Sequence, residues 1–237
     1  MAINPYAQAV LDYFNFQPRV KLFIDTSYGI REEMPLKVLF RDEEDFSSLE
    51  TYALNLCRGK VLDAGAGVGA CSLVLQQRDF DVTALEIEPT LAEIMVKRGV
   101  KKVLCENIFE LKEHRFDTIL MMMNGLGLVG TIGGLKKFLE HAKQLVSTSG
   151  QILLDSSDIS YFYEDKTWPA SHYFGEIGYR YQYKDQKGAW FNWLYIDPAK
   201  LREIARDHGW YAQILYVDET DQYLARLILA DSFDEGV

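Results

Sequence analysis

Between Lys60 and Asp155, short apolar runs alternate with stretches whose apolar residues recur at helical spacing. Lys60–Asp63 reads as a strand, and the helix after it runs to about Arg78. Asp81–Glu86 reads as a second strand, ending in an acid. Pro89 opens a helix through Leu91, Ile94, Met95 and Val96, and Gly99 closes it. Proline loses nothing in a first helical turn, and glycine readily takes the left-handed cap. Lys102–Cys105, Phe116–Met121 and Gly150–Asp155 are further strands; Leu135, Phe138, Leu139, Ala142 and Leu145 mark the helix between the last two. Strands joined by helices run parallel, with right-handed crossovers. Near-continuous apolar strands are covered on both faces. The pattern predicts an α/β, doubly wound, mostly parallel sheet.

The flanks read differently. Before residue 59, Ala7–Phe14 predicts a short amphipathic helix. Val20–Ile24, Asp25–Gly29 and Glu32–Pro35 read as loop-like, punctuated by Gly and Pro. Asp42–Asp45 is an acidic, solvated run near a helix start, and Ser47 or Ser48 caps a helix through Leu49, Tyr52, Ala53, Leu54 and Leu56. After Asp155, tyrosine and tryptophan crowd residues 161–195, where Gly175–Tyr183 and Ala189–Ile196 predict an antiparallel pair. Asp197-Pro198 starts a helix to Gly209, and Tyr211–Val217 with Tyr223–Leu229 predict a closing hairpin. The expected organisation is a lid or substrate segment at 1–58 packed on a core at 59–237, with an aromatic β insert at about 160–196.

Composition narrows the partners. A formal net charge of -10 disfavours nucleic acid, whose phosphates need a basic face. Cys57, Cys71 and Cys105 sit in apolar or helical contexts and read as reduced core thiols, with no close pair to suggest a metal site. No basic-then-apolar leader opens the chain, and no apolar run approaches the roughly 20 residues of a membrane span. A cytoplasmic monomer or homodimer, with no metal and no membrane partner, is the expectation.

The candidate chemistry lies in Val61-Leu62-Asp63-Ala64-Gly65-Ala66-Gly67-Val68-Gly69. An acid ends a strand, and glycines follow at alternate positions. Glycine reaches backbone angles closed to other residues and holds no side chain against a ligand. The helix start beyond it offers free N–H groups and a positive dipole end. Gly65-x-Gly67-x-x-Ala70 also satisfies the dinucleotide spacing, with Glu86 where a ribose acid belongs. Asp63 argues against a pyrophosphate there and for the ammonium of an amino-acid tail, although it also suits capping of the next helix. Glu86 suits a ribose diol. Glu106-Asn107-Ile108, after the third strand, offers a polar group for an adenine amine beside an apolar cover. Asn107 and Glu106 are rivals for that role, and Asn107 also suits a simple turn.

On Asp63–Gly69, Glu86 and Asn107-Ile108, the chain from about 55 to 230 resembles the class I S-adenosylmethionine-dependent methyltransferases of small-molecule type. The resemblance implies a Rossmann-like sheet of seven strands with an antiparallel C-terminal strand. It implies a cofactor site at Asp63, Gly65, Ala66, Gly67, Glu86, Ile87, Asn107, Ile108 and Asn124. Asn107 stands where the family usually has aspartate. The loop Asn124-Gly125-Leu126-Gly127 would lie beside the methyl group, and it lacks the Pro-Pro-aromatic motif of nucleobase methylases. A small-molecule acceptor is therefore expected, with the aromatic insert as its lid. Tyr28, Asn124 and His172, with Asp155 and Asp158, are candidate catalytic residues by position only. A nicotinamide-dependent (NAD(P)) oxidoreductase and a non-catalytic adenosine-cofactor-binding protein are the alternatives.

Overall fold

A computed structural model of the chain describes residues 4–16, 19–163 and 167–231. The N-terminal part holds α1 (Pro5–Phe16), β1 (Leu22–Thr26), β2 (Arg31–Met34) and α2 (Ser48–Leu56). Helix α2 starts at a capping box: the Ser47 hydroxyl accepts from Glu50 N–H, and the Glu50 carboxylate accepts from Ser47 N–H. The wound core follows as β3 (Lys60–Ala64), α3 (Ala70–Gln77), β4 (Asp81–Glu86), α4 (Pro89–Arg98), β5 (Val103–Cys105), β6 (Phe116–Met121), α5 (Ile132–Leu145) and β7 (Val146–Ser157). Next come β8 (Glu176–Tyr183), β9 (Gln186–Lys187) and β10 (Phe191–Leu194), then α6 (Pro198–Asp207), β11 (Trp210–Val217) and β12 (Gln222–Leu229).

The large sheet runs β11-β12-β7-β6-β3-β4-β5. Only β12 is antiparallel to its neighbours, β7 and β11. The side-chain period of two divides each central strand between the faces. Val61, Leu120, Leu153 and Leu224 face α2 and α3 in one core. Leu62, Ile119, Ile152 and Ala225 face α5 and α6 in the other. Trp210 and Tyr223 are fully buried there because their polar ends are met: Trp210 Nε1 donates to Leu139 O at 3.0 Å and the Tyr223 hydroxyl to Ile196 O at 2.7 Å.

A second, smaller sheet has the order β10-β8-β1-β2, with β9 also paired to β8. Val20–Ile24 and Glu32–Pro35, expected as loop, thus contain two strands. β1 pairs β8 antiparallel, Ile24 opposite Tyr181, from the far end of the chain. The hydrogen-bonding partner that makes these residues strands is more than 150 positions away, and no local periodicity reports it. The expected hairpin of the insert forms around Lys184–Gly188, as β8 with β9 and β10. The small sheet and α1 dock on the large unit through a shared core in which Ala7, Val10, Leu22 and Leu39 meet Val68, Leu91 and Ile94.

Cys57 and Cys71 are buried, but Cys105 is exposed, not core. It ends β5, the edge strand of the large sheet, where only one side has a neighbour.

Candidate active site

The two sheets enclose a cavity of about 1120 Å³. Its floor is the C-terminal end of the parallel strands, where open α/β sheets hold their ligands. Asp63, Gly65, Ala66, Gly67, Glu86, Ile87, Asn107, Ile108 and Asn124 all line it, as does Glu106.

The β3–α3 turn is made possible by Gly65, Gly67 and Gly69, at φ of 74°, 58° and 85°. A side chain at these angles is strained regardless of space. The turn is latched to β4. Gly65 N–H and Ala66 N–H donate to Leu85 O at 2.9 and 3.0 Å, and Gly67 N–H donates to Glu86 Oε2 at 3.0 Å. The amides of Gly65, Ala66 and Gly67 are therefore committed to β4.

Asp63 is buried, and its Oδ2 accepts from the Ser72 hydroxyl at 2.6 Å. Ser72 N–H also bonds to it, so Asp63 does cap the start of α3. Burial raises its pKa to about 6, against the opposing pull of the Ser72 bonds. Glu86 is held from both sides: Oε2 by Gly67 N–H, Oε1 by Glu88 N–H at 2.9 Å. Burial pushes its pKa upward, and those amides oppose the shift. The Ile87 amide bonds to the same carboxylate. The Asn107 side-chain oxygen accepts from Phe109 N–H at 3.0 Å, so the turn reading of Asn107 holds alongside its place in the lining.

After β6, Met123 and Asn124 stand at φ of 66° and 53°, left-handed for side chains that rarely go there. Asp155, fully buried at the end of β7, holds them. Its carboxylate accepts from Asn124 N–H at 2.8 Å, Gly125 N–H at 2.9 Å and Gln222 Nε2 at 2.7 Å. The Ser157 hydroxyl donates to Asn124 Oδ1 at 2.8 Å. Asp155 is a clamp behind the loop and does not line the cavity. Burial lifts its pKa to about 6, against those three donors.

Of the remaining candidates, none reaches the lining. The Asp158 carboxylate accepts from Ser160 N–H at 2.9 Å. His172 is exposed beside Ser171, 3.0 Å from its hydroxyl. Tyr28 is exposed against Phe162 and bonds to Tyr179, which does line the cavity.

Arg41 and Glu32 line the cavity without a counterpart among the expected residues. Arg41 forms a bidentate pair with Glu50, 2.8 and 2.5 Å, and Nε donates to Val38 O at 2.8 Å. Burial pushes the Cys71 thiol up, the charges of Asp63 and Glu50 raise it further and that of Arg41 lowers it. Glu32 faces in from β2. The roof carries many aromatic rings, with Tyr6 stacked on Tyr181 at 4.6 Å. Gly127, in the loop after β6, joins floor to roof: a Cβ there would lie 1.8 Å from Trp193 Nε1.

No family model and no curated protein matches the chain. Solved structures do. A SAM-dependent methyltransferase from Bacteroides fragilis, crystallised in complex with S-adenosyl-L-homocysteine, is 39% identical with a TM-score of 0.88, over 96% of this chain and 95% of that one. The CcbJ methyltransferase from Streptomyces caelestis is 12% identical with a TM-score of 0.63, over 97% of this chain and 100% of that one. The sugar N-methyltransferase KedS8 from Streptoalloteichus is 11% identical with a TM-score of 0.58, over 85% and 95%. The last two share the fold.

Proposed function

The chain belongs to the S-adenosylmethionine-dependent methyltransferases, and we propose that it methylates a small molecule bound between the two sheets. Family membership sets aside the nicotinamide reading of the glycine turn. The observation that carries the site is the convergence of Asp63, Glu86 and Asn107, from the ends of adjacent strands β3, β4 and β5, on one cavity.

These residues fit the cofactor chemically. Glu86, its carboxylate fixed by backbone amides, receives the ribose diol. Asn107 and Glu106 meet the adenine amine, and Ile87 and Ile108 cover the ring. Asp63 opposes the ammonium of the amino-acid tail. With the turn's amides engaged in β4, the tail's carboxylate goes to Arg41. Glu50 takes one N–H from each terminal nitrogen of that guanidinium and leaves the other two.

The bound cofactor supplies a methyl group on a positively charged sulfur, already activated for displacement. The chain's task is to align the acceptor and exclude water. Asn124, held at a fixed angle by Asp155 and Ser157, presents its amide at the acceptor side. The acidic net charge supports a small acceptor over nucleic acid. No helix among the described residues is long and apolar enough to cross a membrane, and the cysteines are free, which supports a cytoplasmic setting.

Calorimetry with S-adenosylhomocysteine tests the site. Binding to the wild type, weakened by Arg41→Ala and by Glu86→Ala, is the expected result. Wild-type affinity in both variants would remove this assignment.

A further inference from the structure

The roof of the cavity has a chemistry of its own. Its residues come from alternate positions of the small sheet. Ile24 stands opposite both Glu32 and Tyr181, and Phe191 stands opposite Tyr179. Trp193 shares their parity, and all six line the cavity. These six are aliphatic and aromatic except for one carboxylate, that of Glu32, and Gln186 and Lys187 of β9 line the cavity beside them.

Glu32 has no cation of its own. Among the described residues no lysine, arginine or histidine forms an ion pair with it, and the cations of its neighbourhood are tied down on the sheet's outer face. Arg31 Nε pairs with Asp25 at 2.7 Å, Arg180 pairs with the same carboxylate at 2.9 Å, and Lys21 pairs with Glu33 at 3.2 Å. Arg41 pairs with Glu50. Lys187 also lines the cavity but lies on β9, three strand spacings from β2, or about 14 Å. Facing Glu32 are tyrosine hydroxyls. Its charge acts on Tyr28 and Tyr195, and Tyr179 bonds to both, 3.1 Å from the Tyr195 hydroxyl. Burial pushes all three phenols up, so they stay neutral.

An unpaired carboxylate set among π faces is a site for a positive charge. His114, His141, His172 and His208 all lie outside the cavity lining, which leaves carboxylates such as Glu32, Asp63 and Glu86, weak bases for an alcohol, to take a proton there. An alcohol acceptor would have to surrender its proton to a base as the new bond forms. An amine would not.

We propose that the acceptor is a small amine, recognised through Glu32 and the aromatic face of the small sheet. This rests on the methyltransferase reading above. The amine enters as an ammonium and gives one proton to water at the cavity mouth, where Glu32 is exposed. The nitrogen lone pair then forms the N–C bond as the methyl–sulfur bond breaks onto sulfur. Positive charge passes from sulfur to nitrogen, and the product ammonium keeps its remaining protons. Glu32 and the aromatic rings stabilise charge at the nitrogen end, so no base is needed in the transfer itself.

The test uses a cation and its uncharged isostere, choline and 3,3-dimethylbutan-1-ol, titrated calorimetrically into protein already saturated with S-adenosylhomocysteine. That first saturation is a separate readout: its failure would overturn the cofactor site before any amine is added. The proposal expects choline to bind roughly tenfold more tightly than the isostere. Glu32→Gln, a change at an exposed edge-strand position, should weaken choline about fivefold and leave the isostere unchanged. Phe191→Leu should weaken choline without touching S-adenosylhomocysteine. Equal affinity for the two probes, unaltered choline binding by Glu32→Gln, or no choline binding to the saturated protein would each overturn it.

Discussion

The two sheets meet the same cavity in different ways. The floor contributes strand ends. Asp63, Glu86 and Asn107 stand at or just past the ends of β3, β4 and β5. Each reaches the cavity as one polar side chain, fixed by hydrogen bonds from nearby backbone or from Ser72. The roof contributes a face: alternate residues of four strands, mostly apolar, drawn from segments as far apart as Arg31 and Gln182, whose side chains bond across 151 positions. A strand end gives one atom an exact address and little tolerance. A face gives area, tolerates substitution, and selects by chemical character. That contrast is what the proposed division needs, with the cofactor on the floor and the acceptor against the roof.

The largest effect should come where the floor is clamped. Asp155→Ala leaves the amides of Asn124 and Gly125 without their acceptor inside a buried loop. The expected loss is about 3 kcal/mol of unfolding free energy in urea. A loss under about 1 kcal/mol would mean the left-handed Met123-Asn124 pair does not depend on this carboxylate. Next is the joint between the sheets. Gly127→Ala drives a methyl into Trp193 and should cost about 2 kcal/mol, or roughly 4–8 °C in Tm. Adding Trp193→Leu should recover part of that loss, and simple additivity would place the joint elsewhere.

A smaller effect separates the regions by pH. In the free protein Asp63 titrates at about 6, raised by burial, whereas an opposing ammonium favours its ionised form. S-Adenosylhomocysteine affinity should thus be flat above pH 6 and fall by up to about tenfold per unit below it, as protons compete for the carboxylate. Asp63→Asn should bind more weakly and flatten this part of the profile. Choline affinity, governed from the roof, should lack that step. The smallest effect is expected on the outer face of the roof. Asp25, held down to about 2 by Arg31 and Arg180, contributes stability above its unfolded pKa that is lost as pH falls toward 2. Asp25→Asn at neutral pH should cost less than about 1 kcal/mol, because solvent screens its partners.

How legible each region was follows from the same contrast. The floor is built from consecutive βα units, so Val61-Leu62-Asp63 and Leu85-Glu86 carry their own local pattern, and the cap of α4 could be read from Pro89 and Gly99. Every cofactor residue expected from the turn lies in the cavity lining. Local reading did not show that the amides of Gly65 and Ala66 are taken, because their acceptor, Leu85 O, belongs to the next strand over. It missed Arg41 because nothing local links it to Glu50, nine positions on, which also closes the capping box of α2. It missed β1 and β2 because Arg31-Glu32-Glu33-Met34 alternates only weakly and becomes a strand through remote pairing with β1 and, beyond it, β8. Glu32 was therefore never a candidate. Tyr28 and His172 were named from position alone, which cannot say which side of a sheet a residue faces. For the roof, the density of aromatics between 161 and 195 and the pair Gly175–Tyr183 with Ala189–Ile196 marked a lid over the acceptor, while its pairing with β1 and β2 stayed hidden.

The most direct test sets one floor residue against one roof residue in a single calorimetric titration with S-adenosylhomocysteine. Glu86→Ala, which removes a carboxylate fixed by backbone amides, should weaken binding about a hundredfold, the scale of two hydrogen bonds to a charged group. Phe191→Ala should stay within about threefold of wild type, having removed area from the acceptor side only. Comparable losses in the two variants, or the larger loss in Phe191→Ala, would contradict the division of the cavity into a cofactor floor and an acceptor roof.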